Sequence, residues 1–201
     1  MNEMDADYTI ELGNADPVLD FPWKDPSGKL SYVDIKSHPE LISTISEAAR
    51  FPELGEFLST INSSRSSLET AKCDVWATEE LAPEEEIFGV SHKFASYVDA
   101  VFRERQSDPL GDPTQQPLSF SKYENFAKQM IELLRKAPDM ASTFELCVRR
   151  CFFEKGQQEH NNFYFTLYVN GYGDDEPSAR KNWAIGLRLV GHALLQLSAR
   201  V

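Results

Sequence analysis

Residues 162–173 read NFYFTLYVNGYG and alternate between two kinds of side chain. One set is purely apolar and the other is amphipathic. An alternation with a period of two predicts a β-strand that has one face against a core and one face toward solvent or a ligand. The apolar set is Phe163, Phe165, Leu167 and Val169, and the amphipathic set is Tyr164, Thr166, Tyr168, Asn170 and Tyr172.

The residues that follow predict the helix that covers the apolar face. Residues 174–177, DDEP, place negative charge and a proline where a helix N-terminus favours them. An apolar stripe at helical spacing then runs from Ala179 to Leu197. Gly186 and Gly191 weaken a helix, so we expect them to mark a close approach to the sheet beneath.

Further strands are predicted upstream. Residues 72–78, 93–103 and 144–153 all alternate with a period of two. For residues 93–103 a helix is the alternative, and the β-branched and aromatic content favours the strand. Residues 8–12 and 30–35 are weaker strand candidates.

Two further helices are predicted from capping boxes, in which a serine is followed three residues later by a glutamate. The first pair is Ser37 and Glu40, and the second is Ser121 and Glu124. Pairs of strands therefore alternate with helices along the chain. This order predicts an α+β fold: an antiparallel sheet of about four to six strands, with helices packed on one face and ββα-type units repeated. At 201 residues we expect a single domain over residues 1–201, with residues 1–30 as a loop-rich N-terminal extension.

The charge of the chain limits its partners. A net charge of −12 repels phosphate backbones and anionic lipid headgroups, so we expect no nucleic acid and no membrane as partner. A basic protein or peptide fits this charge better. From its acidic composition we expect the N-terminus not to act as a signal peptide, and we expect the three cysteines to be reduced thiols in the cytoplasm.

The sequence contains no motif for catalysis, and we predict no catalytic residue, no metal and no cofactor. Phosphate loops, Gly-x-Ser-x-Gly, His-Glu-x-x-His and Cys-x-x-Cys are all missing from it. Cys147 and Cys151 share a strand face but lie ~13 Å apart, too far for a disulfide or a common metal. They are better explained as small buried side chains. A binding protein is therefore favoured over an enzyme.

The amphipathic side of the sheet is the candidate binding face. Aromatic side chains mixed with both signs of charge are typical of recognition surfaces. Two alternatives remain: cross-strand pairs that stabilise a solvated sheet, and a face covered by the N-terminal loops or by a second subunit. The predicted partner-binding residues are Trp76, Tyr97, Arg149, Tyr164, Tyr168 and Tyr172.

The first functional hypothesis is a non-catalytic intracellular binding or chaperone-like module, expected as a homodimer, that engages a protein or peptide through this face. The acidic charge and the order of elements resemble the small acidic secretion chaperones at the level of fold alone. The alternative is a small-ligand-binding protein or enzyme with a pocket on the same face. There Arg149 would bind an anionic group, and Asp99 or Glu145 would be the acid–base candidate. A closed pocket of a few hundred Å³ would favour the alternative, and a flat face the first hypothesis.

Overall fold

A computed structural model describes residues 4–82, 85, 89–103, 120–138, 140–155 and 158–198. Within these residues the predicted α+β class is confirmed, and six strands form one sheet. The strands are β1 (Asp5–Glu11), β2 (Val18–Phe21), β3 (Leu68–Thr78), β4 (His92–Phe102), β5 (Ser142–Lys155) and β6 (Gln158–Gly173). The helices are a 3-10 helix (Pro39–Thr44), α1 (Ser46–Arg50), α2 (Pro52–Ile61), α3 (Phe120–Leu134) and α4 (Glu176–Ser198).

The sheet is mixed, so the prediction of an antiparallel sheet was wrong. Its order is β1-β5-β6-β4-β3, and β2 also pairs with β5. The pairs among β3, β4, β5 and β6 are antiparallel, whereas β1 and β2 both run parallel to β5. Parallel neighbours require a long crossover connection. The chain between β2 and β5 supplies it, and a local pattern of residues does not reveal such a connection.

The described residues do not show the predicted repetition of ββα units. The first two strands lie end to end along β5, with β1 opposite residues 143–149 and β2 opposite residues 150–153. They therefore form an interrupted edge strand and do not pair with each other. Residues 1–30, expected as a loop-rich extension, thus contribute two strands to the sheet.

The main core lies between the sheet and the helices. Phe165, Leu167 and Val169 are fully buried in it together with side chains from α2, α3 and α4. A Cβ added at Gly186 would collide with Ser142 and Val169, which confirms the expected close approach of α4 to the sheet. Gly191 faces Phe57 and Thr60 of α2 instead of the sheet. The apolar set of β6 therefore faces the helices, and its amphipathic set lies on the opposite face, which we call the open face.

Several local predictions can be compared with the structure. Residues 93–103 were correctly predicted as a strand, which is β4. Residues 30–35 form no strand, since only Ser31 makes an isolated bridge, to Lys24. The box at Ser37 does not cap a helix, because a 3-10 helix begins at Pro39 without a side-chain cap.

Candidate functional site

The register of the strands places five side chains in one row across the open face. From β1 to β3 this row is Asp7, Glu145, Tyr168, Tyr97 and Asp74. The three carboxylates are exposed and the two tyrosines are half-buried. Two aromatic rings therefore lie between carboxylates on both sides.

A third ring extends this row into a continuous aromatic surface. The ring centroids of Trp76 and Tyr97 are 6.5 Å apart, and those of Tyr97 and Tyr168 are 6.2 Å apart. Trp76 is 38% exposed. We call these three residues the aromatic strip. It crosses β3, β4 and β6, three neighbouring strands of the sheet.

The two carboxylates nearest to the strip have no cation beside them. Within the described part of the chain, no Lys, Arg or His nitrogen lies within 4.0 Å of Asp74 or Glu145. Asp7, further out, lies 3.6 Å from Arg135. Burial raises the pKa of Tyr97, with Asp99 and Asp74 adding to the effect, so its phenol stays neutral. The strip is therefore an uncharged aromatic surface with negative charge at both sides.

A buried polar network lies beside the strip and orients Tyr168. Arg149 Nε donates to Glu11 at 2.7 Å, and Arg149 Nη1 donates to Thr166 Oγ1 at 2.8 Å and to the Tyr168 hydroxyl at 3.3 Å. Since a guanidinium can only donate, the Thr166 hydroxyl accepts this bond and donates its own hydrogen to Asp99 Oδ1, at 2.6 Å. The network therefore connects Arg149 to Asp99 through one hydroxyl.

Arg149 is 9% exposed, and its hydrogen bonds are made within the molecule. Its guanidinium also lies 5.8 Å from the ring centroid of Tyr168. This arrangement gives no support to the alternative in which Arg149 binds an anionic ligand. Its role in the face is to position Tyr168.

Asp99 is the most deeply placed carboxyl of the network. Burial raises its pKa, and the hydrogen bond from Thr166 and the charges of Lys72 and Arg149 oppose that rise. Lys72 Nζ lies 3.5 Å from Asp99 Oδ2. It also lies 5.9 Å from the ring centroids of Trp23 and Tyr97. Asp99 is 2% exposed, so its carboxyl is not accessible to a substrate in solution.

The end of the open face near residue 164 is covered by the N-terminal segment. Leu19 and Phe21 of β2 pack there, with Trp23 and Tyr32 beside them. We call this region the covered end. Tyr164 is therefore buried, contrary to its expected place on an exposed face. The sheet residues beneath the segment are Ala71, Val101, Cys151 and Tyr164.

Tyr172, at the opposite end of β6, is also buried. Its hydroxyl donates to Glu85 Oε1 at 2.7 Å, and the Lys93 ammonium contacts the same oxygen. Glu85 is held in turn by the backbone N–H of Ala82, at 2.9 Å. The predicted six residues thus divide into two groups. Trp76, Tyr97 and Tyr168 reach the surface, whereas Arg149, Tyr164 and Tyr172 lie beneath it.

Sequence reasoning missed three contributors to the face. Asp7 joins the row only because β1 pairs with β5, which alternation along one strand does not reveal. Trp23 and Phe21 come from a segment rich in Asp, Pro and Gly that was expected to be loop. Their aromatic side chains were the one indication in the sequence that this segment packs against the sheet.

The cysteines and helices give no sign of another kind of site. Burial raises the pKa of Cys73 and of Cys147 to about 12 and also raises that of Cys151, so all three are neutral thiols near pH 7. Among the residues that the structure describes, no three His, Cys, Asp or Glu side chains come together as metal ligands. None of the described helices is both long and apolar enough to cross a membrane.

Comparison of the chain with protein-family models, with curated proteins and with solved structures found no match. No activity can therefore be transferred from a relative. The chemistry of the open face has to supply the functional inference: a neutral aromatic strip, carboxylates on both sides, and a rigid polar network beneath.

Proposed function

We propose that this protein is a non-catalytic, intracellular binding or chaperone-like module that engages a basic, extended segment of a protein or peptide through the aromatic strip. The observation that carries the proposal is the row in which Tyr97 and Tyr168 lie between Asp74 and Glu145, with Trp76 two residues from Asp74 on β3. Lys and Arg side chains can interact with the carboxylates and with the aromatic rings at the same time. Their cationic groups attract carboxylates and also lie favourably over aromatic rings.

The charge of the whole chain supports a basic partner. A net charge of −12 accelerates the encounter with a cationic segment and makes the rate depend on salt. Each contact of a cation with an exposed ring contributes about 0.5–1 kcal/mol. Three such contacts therefore contribute about 1.5–3 kcal/mol to binding, and ion pairs with the two carboxylates add to this.

The position of the strip at an edge of the sheet supports an extended partner. Among the described strands, β3 pairs only with β4. Trp76 and Asp74 lie on β3 itself, so a segment added along its edge would bring alternate side chains beside Trp76 and Asp74 on the open face. An extended segment also presents its side chains with the same spacing as the strands beneath.

Rigidity of the strip supports recognition without large rearrangement. Arg149 holds Tyr168 from below, and Lys72 lies beside Tyr97. Side chains that are already ordered lose little entropy when a partner binds. Two of the three rings of the strip, those of Tyr97 and Tyr168, are therefore held in place before a partner binds.

A second copy of the same chain is a poor occupant for this surface. A two-fold interface through the strip would place Asp74 and Glu145 against carboxylates of the other copy. Like charges in one interface disfavour that pairing. The expected homodimer therefore stays a prediction and would use another surface. The free cysteines are consistent with the proposed cytoplasmic location.

The test is an array of extended peptides in three matched sets, in which the same positions carry Lys or Arg, Gln, or Glu. We expect binding of the basic set alone, weakened by salt. Trp76→Ala should lower the affinity at least tenfold, as truncation of a central aromatic residue does. Phe152→Ala is the matched control, because Phe152 is 37% exposed and lies outside the strip.

A second pair of variants distinguishes the effect of the carboxylates beside the strip from the effect of the net charge of the chain. Asp74→Asn with Glu145→Gln should weaken binding and reduce its salt dependence. Glu56→Gln with Glu132→Gln removes the same charge from exposed positions on α2 and α3 and should leave the affinity unchanged. Equal binding of the basic and acidic sets, or no binding of any set, would contradict the proposal.

A further inference from the structure

A cavity opens at the edge of the sheet, directly beside the aromatic strip. It has a volume of about 270 Å³ and lies between the N-terminal segment, the turn that joins the 3-10 helix to α1, and β3. We call it the edge cavity. Asp74 and Tyr97 line it and also belong to the row of side chains on the open face. The edge cavity is therefore an extension of the binding surface, and a segment bound along the strip reaches it at Asp74.

The walls of the edge cavity suit an aliphatic chain. Trp23 and Ile45 are half-buried and line it. Leu30 also lines it and is 63% exposed, which makes it the most exposed of the large apolar side chains that the structure describes. A long side chain placed against these walls would remove apolar surface from water through its stem and still keep a charged end group near solvent.

Two carboxylates in the edge cavity have no cation beside them. Asp74 comes from β3 and Glu47 from α1. In the parts of the chain that the structure describes, no Lys, Arg or His nitrogen lies within 4.0 Å of either carboxylate. Burial raises the pKa of Cys73 to about 12, and the charges of Glu47 and Asp74 add to this rise, so both charges act on the same side chain. A cation that enters the cavity would be attracted by two carboxylates at once.

The ammonium of the edge cavity does not neutralise these two carboxylates. Lys72 is the one cation among its described lining residues. Its Nζ lies 3.5 Å from Oδ2 of Asp99, which is buried behind it. It also lies 5.9 Å from the ring centroids of Trp23 and Tyr97. Lys72 therefore balances the charge of Asp99 and occupies a face of each ring, so a second cation is directed to the two free carboxylates.

Arginine meets these conditions better than lysine does. A guanidinium is planar and carries five N–H donors in a fixed arrangement, so it can donate to carboxylates from two different elements at the same time. It is also more weakly hydrated than an ammonium, which lowers the free-energy cost of placing it in a half-enclosed cavity. Charge-assisted hydrogen bonds to both carboxylates would then fix its orientation.

We propose that the edge cavity receives one arginine side chain of the bound segment, with Glu47 and Asp74 as acceptors for its guanidinium and with Leu30 and Ile45 against its stem. This inference rests on the proposed function, because the strip binds the rest of the segment. It adds a specificity to that function: a single arginine position beside otherwise interchangeable basic residues.

The test is isothermal titration calorimetry with a family of synthetic peptides. The parent peptide alternates lysine with threonine, and its derivatives carry arginine at one lysine position, arginine at two positions, or citrulline at one position. The first arginine should tighten binding about tenfold, as hydrogen bonds to charged groups do. A second arginine should add little, because the cavity holds one side chain. Citrulline keeps the shape of arginine without its charge and should give no gain over lysine.

Two variants locate the arginine. Glu47→Gln removes a carboxylate of the edge cavity that lies outside the strip, and should abolish the preference for arginine while the all-lysine peptide binds as before. Ile45→Trp fills the cavity without removing either carboxylate and should have the same effect, which keeps the test decisive if one variant does not fold. Glu56→Gln removes the same charge from an exposed position on α2 and should leave the preference unchanged.

The outcomes separate this inference from the proposed function. Failure of the all-lysine peptide and of every arginine derivative to bind would contradict both. Binding of the all-lysine peptide with no gain from arginine would overturn the arginine site alone. An arginine preference that persists in Glu47→Gln or in Ile45→Trp would also overturn it, since the guanidinium would then bind elsewhere on the face.

Discussion

The aromatic strip and the covered end lie on the same face of the same sheet, yet one is open and the other is buried. Tyr164 and Tyr168 are four residues apart on β6 and point to the same side. Tyr164 is buried in one cluster with Leu19 and Phe21, whereas Tyr168 remains half-exposed. What separates them is a segment more than a hundred residues earlier in the chain. An alternating strand therefore specifies a face, and distant packing determines whether that face is available for binding.

The two tyrosines provide the sharpest test of this difference. Tyr164→Ala should lower the free energy of unfolding by about 3–5 kcal/mol, because it removes a buried ring and leaves a cavity in the cluster that it forms with Leu19 and Phe21. Tyr168→Ala should lower it by about 1 kcal/mol or less. Urea denaturation of both variants measures the effect. Equal losses would mean that the N-terminal segment does not cover Tyr164 in solution.

Removal of Arg149 should have the next largest effect. Arg149→Met eliminates the donor to Glu11, Thr166 and Tyr168, and leaves the buried Asp99 with less compensation. Breaking a buried ion pair by removing one partner costs about 3–5 kcal/mol. We expect about 3 kcal/mol, since Glu11 is partly exposed.

Lys128→Met is the control for this experiment, because it breaks an exposed pair with Glu124 and should cost about 0.5 kcal/mol or less. A loss of similar size in both variants would show that the network under the strip contributes little. Peptide affinity measured on the folded Arg149→Met protein then reports whether Tyr168 needs its support.

The titration of Asp99 should give a smaller effect with a defined sign. Because burial raises its pKa above the ordinary value of 3.8, the folded state holds this proton more tightly than the unfolded state. Its contribution to stability is then complete below that value and is lost as the pH rises through the folded pKa. Asp99→Asn keeps an acceptor for Thr166 and removes the titration.

The measurement compares the free energies of unfolding of wild type and Asp99→Asn from pH 4 upward. The wild-type value minus the variant value should fall by up to about 1.4 kcal/mol per pH unit within the window where only the unfolded carboxyl is ionised. A difference that increases with pH would mean that Lys72 and Arg149 stabilise the ionised form by more than burial costs.

The sequence predicted which side chains lie on the open face better than it predicted the N-terminal segment that buries the covered end. The alternation of residues 72–78 and of β6, and the interpretation of residues 93–103 as a strand, were sufficient to place Trp76, Tyr97 and Tyr168 on one side of a sheet. These are local properties, because each strand carries its own pattern. The binding role of these residues stays a prediction.

Cover by the N-terminal loops was one of the alternatives for this face, but the end that they cover could not be predicted, for a physical reason. Whether β1 and β2 join β5 in parallel depends on a connection of more than a hundred residues, and no local period records the pairing partner of a strand. Arg149 and Tyr164 were assigned to the surface for the same reason. The edge cavity was also beyond prediction, since Trp23, Ile45 and Lys72 come from three separate segments.

The smallest expected effect concerns the strip itself. Trp76→Ala should change the free energy of unfolding by about 1 kcal/mol or less, because the side chain is 38% exposed and surface substitutions cost little. Trp183→Ala is the matched comparison, since Trp183 is fully buried and its indole N–H donates to Ser96 at 2.8 Å. That variant should lose about 3–5 kcal/mol. If Trp76→Ala destabilised the fold by as much as Trp183→Ala, the strip would be part of the scaffold. A small loss combined with weaker peptide binding would mean instead that the ring is kept at the surface for a partner.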